Sequence, residues 1–437
     1  MTSLNFISHP VNRIYGEITV PGDKSISHRS IIFGAIATGT TTIDGFLDGE
    51  DCLATLKAFK AMGVLIDGPT GHHVVIHGVG KYGLKKPQHV IDCGNSGTSI
   101  RLLAGLLAAQ VFDSELTGDE SLLQRPMLRI SNPLTQMGAN IVTCEGKPPI
   151  TIKGGQQLSA INYLMPEASA QVKSCILLAG LYAKGQTRIT ETGVSRDHTE
   201  RMLKTFSYPV HCFNSSIEIT GEGECIGTHV TIPGDISSAA FFIVAASIIP
   251  GSDVLIKNVG VNPTRTGVIH ILKKMGANIE LLNQRQEGEE PVADIRVTYS
   301  PLSGIKIPET MVPLAIDEFP IIFIAAACAK GQTLLTGAKE LRHKESDRIG
   351  AMVDGLTQLG IEAHAYDDGL LIQGGTINGG VVNSRGDHRI AMAFSIAGAI
   401  AREAITIVNC ANVATSFPTF LNAANTLHFR IEERNNE

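Results

Sequence analysis

Val20-Pro21-Gly22-Asp23-Lys24-Ser25-Ile26-Ser27 returns, altered, as Ile232-Pro233-Gly234-Asp235-Ile236-Ser237. The first copy runs on into His28 and Arg29. In the same register Ile236 stands opposite Lys24, Ala240 opposite His28 and Phe241 opposite Arg29. One backbone turn therefore occurs twice, charged in one copy and apolar in the other. Shared residues report shared structure, and cations found in one copy are the better candidates for function.

Outward from these turns a longer pattern recurs: a polar cap, an Ala/Gly/Ile-rich helix, a glycine turn, a short β-branched strand, an amphipathic helix, Met-Gly or Leu-Gly, then two strands. The clearest copy is Asp317 to Gly374. Its first helix ends at Ala329-Lys330-Gly331, and Thr333 to Thr336 reads as a strand. Apolar spacing predicts a second helix over Asp347 to Leu359, stopped by Gly360. Ile361–Ala365 and Leu370–Ile372 then alternate as a hairpin around Asp367-Asp368-Gly369. The same order fits Ser27–Gly78, Asn95–Gly154, Ser169–Gly221, Ser237–Val297 and, less completely, Asp387–Ile431. A β-α-β-α-β-β unit of about fifty residues cannot cover its own apolar faces, whereas three packed together can. The expected class is α/β (α+β): two domains of three repeats, covering residues 21–233 and residues 1–20 plus 234–437. Residues 1–20 read as a lone strand hairpin that pairs with the second half, because the final repeat lacks its terminal hairpin. The chain then crosses between domains at Val20–Asp23 and Ile232–Asp235, and two adjacent crossovers make a hinge.

Composition narrows the function. The 437 residues can bury a large core, and 43% hydrophobic with 18% charged residues describes an ordered globule. A net charge of −6 argues against non-specific nucleic-acid binding. The N-terminus has no signal pattern, and the apolar run Ala239 to Pro250 is too short to span a bilayer. None of the eight cysteines lies in a CxxC pair, which points to a reducing cytoplasm without zinc or disulfides. His72-His73-x-x-x-His77 reads as a solvated turn with no carboxylate or cysteine partners, not as a metal site. Lys24-Ser25 lacks the glycine spacing of a P-loop, and no GxGxxG opens a helix after a strand. No metal and no cofactor are expected.

The first helix of each repeat begins in small or polar residues: Ser27-His28-Arg29, Asn95-Ser96-Gly97-Thr98, Ser169-Ala170-Gln171, Ser237-Ser238, Asp317-Glu318 and Asp387-His388-Arg389. Capping accounts for part of this, but Arg29, Gln171 and Arg389 are poor caps. If these ends converge, their dipoles and free N–H groups form an anion site. Cations gather at the same places: Lys24, Arg29, Arg125 in Gly118–Pro126, Arg196 after Gly193-Val194-Ser195, and Lys344-Glu345-Ser346-Asp347-Arg348. Helical spacing would put Lys344 and Arg348 on one face with Glu345 beside them.

Together, Pro21–Arg29, Gly94–Thr98, Lys344–Arg348 and Asp387-His388-Arg389-Ile390-Ala391-Met392 resemble the 5-enolpyruvylshikimate-3-phosphate synthase family over nearly the whole chain. That resemblance implies a two-domain inside-out α/β barrel and transfer of the enolpyruvyl group of phosphoenolpyruvate to shikimate 3-phosphate, with release of phosphate. It implies that Lys24, Ser25, Arg29, Ser169, Ala170, Gln171, Arg196, Asp317 and Lys344 bind shikimate 3-phosphate. Lys24, Asn95, Gly97, Thr98, Arg125, Gln171, Arg348 and Arg389 would bind phosphoenolpyruvate. Asp317 matches the family's base and Glu345 its proton donor, with Lys24 assisting; Asp317 also reads as a helix N-cap. Closure over the substrates would align them and exclude water. A cytoplasmic monomer of the shikimate pathway, inhibited by glyphosate, is implied, with no nucleic-acid or membrane partner.

Two departures point to the second class of that family. Thr415-Ser416-Phe417-Pro418 stands where some members have Lys-Thr-Phe-Pro, and Ser169-Ala170-Gln171-Val172-Lys173 replaces a double-serine version. Gly97 is nonetheless the glyphosate-sensitive residue type. One alternative is a UDP-N-acetylglucosamine enolpyruvyl transferase, but Thr117–Pro126 lacks its loop cysteine and Lys24-Ser25 replaces Lys-Asn. The other is a non-catalytic six-repeat clamp on a polymer, which needs cations spread over an inner surface.

Overall fold

The computed structural model describes residues 4–435, so residues 1–3 and 436–437 of the expected second domain lie outside it. The chain divides into two compact units. One comprises the chain up to Pro21, Pro233–Gln286 and Glu290 onward; the other comprises Gly22–Ile232 with Glu287–Glu289. The two main cuts fall at the Pro-Gly-Asp turns, one just after Pro21 and one just before Pro233. Among the described residues the fold is mixed α/β with six sheets, three in each unit.

Six long helices form the centres of the units. In the Gly22–Ile232 unit they are α1 (Lys24–Ile36), α2 (Gly97–Leu107) and α3 (Ala170–Gly180). In the other unit they are α4 (Ile236–Ile248), α5 (Phe319–Cys328) and α6 (His388–Gly398). They are buried nearly throughout, and α4 and α5 are apolar nearly all round, as helices surrounded by protein are. The sheets and the less buried helices such as Glu50–Ala61 and Arg348–Gln358 cover them. Leu359 and Gly360 end the last of these, and Gly360 takes φ +86°, which glycine adopts without strain.

The sheet order explains the Pro-Gly-Asp turns. In the second, third and sixth repeats a short strand before the central helix pairs in parallel with the strand after it, as Ile91–Asp92 does with Ser114–Thr117. The first and fourth repeats exchange this strand. Tyr15–Thr19, just before α1, pairs with Asp253–Gly260 of the fourth repeat. His229–Thr231, just before α4, pairs with Thr38–Asp44 of the first. The chain must therefore change units between each strand and the helix that follows. A Cβ at Gly22 would overlap the Gly45 carbonyl, and one at Gly234 would lie 2.8 Å from Val20 Cγ2. Asp23 caps α1 through the Ile26 N–H (2.9 Å), and Asp235 caps α4 through the Ser237 N–H (2.8 Å). The glycine makes room for its neighbour, a carbonyl at Gly22 and the Val20 side chain at Gly234, and the aspartate starts the helix.

Several expectations need correction. Residues 4–20 are not a hairpin, because Leu4–His9 and Tyr15–Thr19 join different sheets. Leu4–His9 does complete the sixth repeat, lying between Ile405–Val408 and Arg430–Asn435. The caps of α1 and α4 are Asp23 and Asp235, earlier than Ser27 and Ser237. Asp317 is not an N-cap: α5 begins at Phe319 after Glu318. Lys344 and Glu345 do not share a helical face with Arg348, since the helix begins at Arg348 with Asp347 as its cap. His73, His77 and His72 do have carboxylate partners, in Asp44 (2.7 Å), Asp67 (3.2 Å) and Asp48 (3.6 Å). Each partner is separate. Among the described residues, no group of three or more His, Cys, Asp or Glu could hold a metal ion, and no helix is long and apolar enough to cross a membrane.

Candidate active site

In the Gly22–Ile232 unit the N-terminal ends of the three central helices are linked. Gln171, in the first turn of α3, donates from Nε2 to Thr98 Oγ1 at the start of α2 (3.0 Å). Its Oε1 accepts from Arg101, one turn along α2. Lys24, the first residue of α1, pairs with Asp51 in the first turn of Glu50–Ala61. Thr55 of that helix joins His28 Nδ1 (2.8 Å) to Ser99 Oγ (2.6 Å). Three helix dipoles thus point their positive ends to one place.

Arg29 ties α1 to α3 and to the helix His198–Thr205. Its Nε donates to Thr199 Oγ1 (2.7 Å), Nη2 to Ser174 Oγ (2.7 Å) and Nη1 to the Ser25 carbonyl (2.9 Å). Ser169 caps α3 through the Val172 N–H (3.4 Å), which places Ala170 and Gln171 in the first turn. Arg196 is half-buried just before His198–Thr205. Burial, reinforced by the Lys24 and Arg29 charges, lowers the His28 pKa well below its ordinary value, so this imidazole is neutral.

Asn95 bridges the loop that holds Arg125. Its Oδ1 accepts from Arg125 Nη2 (2.8 Å) and its Nδ2 donates to Asp119 Oδ2 (2.7 Å). Gly97 faces the same guanidinium: a Cβ there would lie 2.9 Å from Arg125 Nη1 and 3.1 Å from Arg101 Nη1. A side chain at this position would make one or both guanidinium ends shift, and the φ of Gly97 is ordinary.

In the other unit Arg348 is the hub. It is 1% exposed. Nε donates to Asp387 Oδ2 (2.8 Å) and Nη2 to Glu345 Oε2 (2.6 Å), while Nη1 lies 3.5 Å from Asp317 Oδ1. Lys344 Nζ is 3.4 Å from Asp317 and 3.4 Å from Glu340. Asp387 also caps α6 through the Arg389 N–H (2.9 Å) and accepts from Ser346 Oγ (3.0 Å). Burial opposes ionisation of Asp387, but the charge and hydrogen bonds of Arg348 outweigh it, so the carboxyl sits below its ordinary pKa. Burial likewise opposes the charge on Arg348, and the surrounding carboxylates reverse the effect and raise its pKa.

The N-terminal ends of α4, α5 and α6 also meet. Glu318, before α5, accepts from Ser237 Oγ of α4 and lies 3.8 Å from Arg389 Nη1 of α6. Arg265 Nη2 donates to Ser237 Oγ (2.6 Å) and Asp235 Oδ1 (3.1 Å). The second Pro-Gly-Asp copy thus holds a charged network that its apolar residues concealed. Thr415, at the position of the family lysine, is buried and donates from Oγ1 to the Asn412 carbonyl (2.7 Å).

The expected site residues therefore gather as two groups. Lys24, Ser25, Arg29, Asn95, Gly97, Thr98, Arg125, Ser169, Ala170, Gln171 and Arg196 belong to one unit, and Asp317, Lys344, Glu345, Arg348 and Arg389 to the other. Asp51, Arg101, Glu318 and Asp387 were not assigned roles from the sequence. Arg101 was within reach of such reasoning, standing four residues after Gly97 on one helical face. Asp51 carries no local signal, because its partner Lys24 lies on another helix.

A family model described as EPSP synthase (3-phosphoshikimate 1-carboxyvinyltransferase) matches residues 8–423. The chain belongs to the EPSP synthase family. It is 74% identical over 430 residues to a 3-phosphoshikimate 1-carboxyvinyltransferase of Legionella pneumophila, covering 98% of this chain and 99% of that one. It is 60% identical to the protein of that name from Methylococcus capsulatus, covering 98% of each. A solved EPSP synthase from Acinetobacter baumannii superposes with a TM-score of 0.89 at 56% identity, covering 99% of this chain and 100% of that one. An enolpyruvyl transferase from Streptomyces tendae, NikO, shares the fold at 15% identity, with a TM-score of 0.81 over the whole of both chains. EPSP synthase membership over this length decides against the polymer clamp and the UDP-N-acetylglucosamine transferase.

Proposed function

We propose that this EPSP synthase family member transfers the enolpyruvyl group of phosphoenolpyruvate to the 5-hydroxyl of shikimate 3-phosphate and releases phosphate. One observation carries the assignment of residues: in each unit three helix N-termini meet beside buried or half-buried guanidinium groups. Such an arrangement suits small, multiply charged anions, since dipoles and guanidinium forks match phosphate and carboxylate oxygens.

In this reading Lys24, Ser25, Arg29, Ser169, Ala170, Gln171 and Arg196 hold shikimate 3-phosphate, with Arg196 on its phosphate and Asp317 and Lys344 contributing. Phosphoenolpyruvate is held by Arg125, Arg348 and Arg389, with Lys24, Gln171 and the Asn95, Gly97 and Thr98 turn. Asp317 removes the proton of the 5-hydroxyl as its oxygen bonds to the enolpyruvyl C2. Glu345, assisted by Lys24, delivers a proton to the methylene. The tetrahedral ketal then expels phosphate and loses a proton from the new methyl group, which restores the double bond. The acid and base are carboxylates fixed by neighbouring cations: Arg348 holds Glu345, and Lys344 and Arg348 flank Asp317. The enzyme works as a cytoplasmic monomer and needs no cofactor. Phosphate release from phosphoenolpyruvate should require shikimate 3-phosphate; equal release without it would overturn the assignment.

Glyphosate provides a steric test. The methyl of Gly97→Ala would press on Arg125 Nη1 and Arg101 Nη1. The two guanidinium ends must shift to make room, and about 1.4 kcal/mol lost from their contacts with the inhibitor is a factor of ten. The inhibition constant should therefore rise by about tenfold or more. The Michaelis constant for phosphoenolpyruvate should rise less, because the crowding acts first on a ligand longer than the substrate. Equal inhibition constants for the two proteins would refute the steric account.

A further inference from the structure

The Gly22–Ile232 unit contains a buried ion triad that the chemistry above does not use. Lys173 of α3 is 1% exposed. Its Nζ contacts Glu200 Oε1 of His198–Thr205 at 2.7 Å and Glu191 Oε2 at 3.1 Å. Glu191 also accepts from Ser195 Oγ, in the residue before Arg196. Glu200 Oε2 is buried without a hydrogen-bond partner, so Lys173 is the chief compensation for its charge.

The triad lies one residue from the Arg29 network on both helices. Ser174 follows Lys173, and Thr199 precedes Glu200. Ser174 Oγ and Thr199 Oγ1 are 2.6 Å apart, and each accepts from the Arg29 guanidinium at 2.7 Å. Two cross-links therefore run side by side between the same helices: Lys173–Glu200 and Ser174–Thr199. Adjacent residues on rigid helices share one displacement, so an error in the ionic link is passed to the hydroxyl link. Through Glu191 the same ammonium fixes Ser195, and with it the backbone that carries Arg196.

We infer that Lys173 is a positioning residue for shikimate 3-phosphate: with Glu191 and Glu200 it sets the placement of Arg29 and Arg196 without touching substrate. The inference rests on the assignment of Arg29 and Arg196 to that substrate. Of the residues assigned to phosphoenolpyruvate, Gln171 shares α3 with Lys173 but is also held by Thr98 and Arg101 of α2, while Arg125 and Asn95 are joined by a separate contact, so the effect on phosphoenolpyruvate should be small.

Steady-state kinetics on the full chain test this. Lys173→Met should raise the Michaelis constant for shikimate 3-phosphate by about tenfold, with that for phosphoenolpyruvate within about twofold and kcat within about threefold. Lys173→Met/Glu200→Gln restores the net charge of the triad and should recover most of the lost affinity. Ser195→Ala cuts only the link to the Arg196 loop and should give a smaller rise in the same constant. It carries the test if Lys173→Met does not fold. A folded Lys173→Met with an unchanged constant for shikimate 3-phosphate would overturn the inference, as would equal changes in both constants. Arg29→Ala and Arg196→Ala serve as controls. If neither alters the constant for shikimate 3-phosphate, the underlying assignment of those arginines fails, independently of Lys173.

Discussion

Arg348→Met is expected to destabilise its unit by about 3–5 kcal/mol, the usual cost of leaving buried charges unpaired. One fully buried guanidinium holds Asp387 and Glu345 by hydrogen bonds and lies beside Asp317. Methionine fills similar space but satisfies none of these carboxylates. The effect also has a pH signature. In the native protein the pKa of Asp387 is depressed, so it contributes stability above its unfolded pKa of about 4, lost as pH falls through the folded value. Without Arg348, burial and the nearby Glu345 carboxylate are opposed only by His388 and the hydrogen bonds from Ser346 and the Arg389 N–H, and the protonated form of Asp387 is favoured. The variant should therefore lose most stability at alkaline pH and least in acid. Chemical denaturation at about pH 5 and about pH 8 checks this. A stability gap that does not widen toward pH 8 would remove Asp387 from the explanation. Saturation with phosphoenolpyruvate should be lost in the same variant, since Arg348 is assigned to that substrate.

The second large effect is on turnover. Asp317→Asn keeps the size of the side chain but removes the base, so kcat should fall by about 10²- to 10⁴-fold. Michaelis constants should move much less, because the amide can still accept from Lys344. Lys24→Ala should lower kcat and also weaken both substrates, since Lys24 is assigned to both and its loss leaves Asp51 without its ammonium partner. Phosphate release under single-turnover conditions separates these effects from product release. Undiminished turnover in both variants would exclude the two residues from the reaction. Loss of turnover in Lys24→Ala alone would leave the base unassigned.

Much of this site is legible in the chain because it lies at helix starts. Asp23, Ser96, Ser169 and Asp387 cap central helices, and each cap is followed within a few residues by a group proposed to bind an anion. Capping is local chemistry, so sequence displays it. Arg348 is the opposite case. Sequence places it beside Lys344 and Glu345, but its strongest partner, Asp387, lies thirty-nine residues away. The spacing of Lys344, Glu345 and Arg348 also imitated a helical face that does not exist, because the Asp347 cap takes precedence and begins the helix one residue later.

The two Pro-Gly-Asp turns show where the division falls. Sequence alone determined that a backbone turn is used twice, that each copy opens a set of three repeats, and that Lys24 and Arg29 mark only one of them. These are properties of periodicity and local propensity. Tertiary structure decided why the turn exists: Tyr15–Thr19 and His229–Thr231 exchange partners, so the chain must cross through a crowded passage, closed by the Gly45 carbonyl at Gly22 and by the Val20 side chain at Gly234. It also decided that the apolar copy is charged after all, since Asp235 and Ser237 hold Arg265 and Glu318. Strand exchange and buried ion pairs join residues tens to hundreds of positions apart. Their energies depend on desolvation and on geometry in space, and neither is written in neighbouring residues.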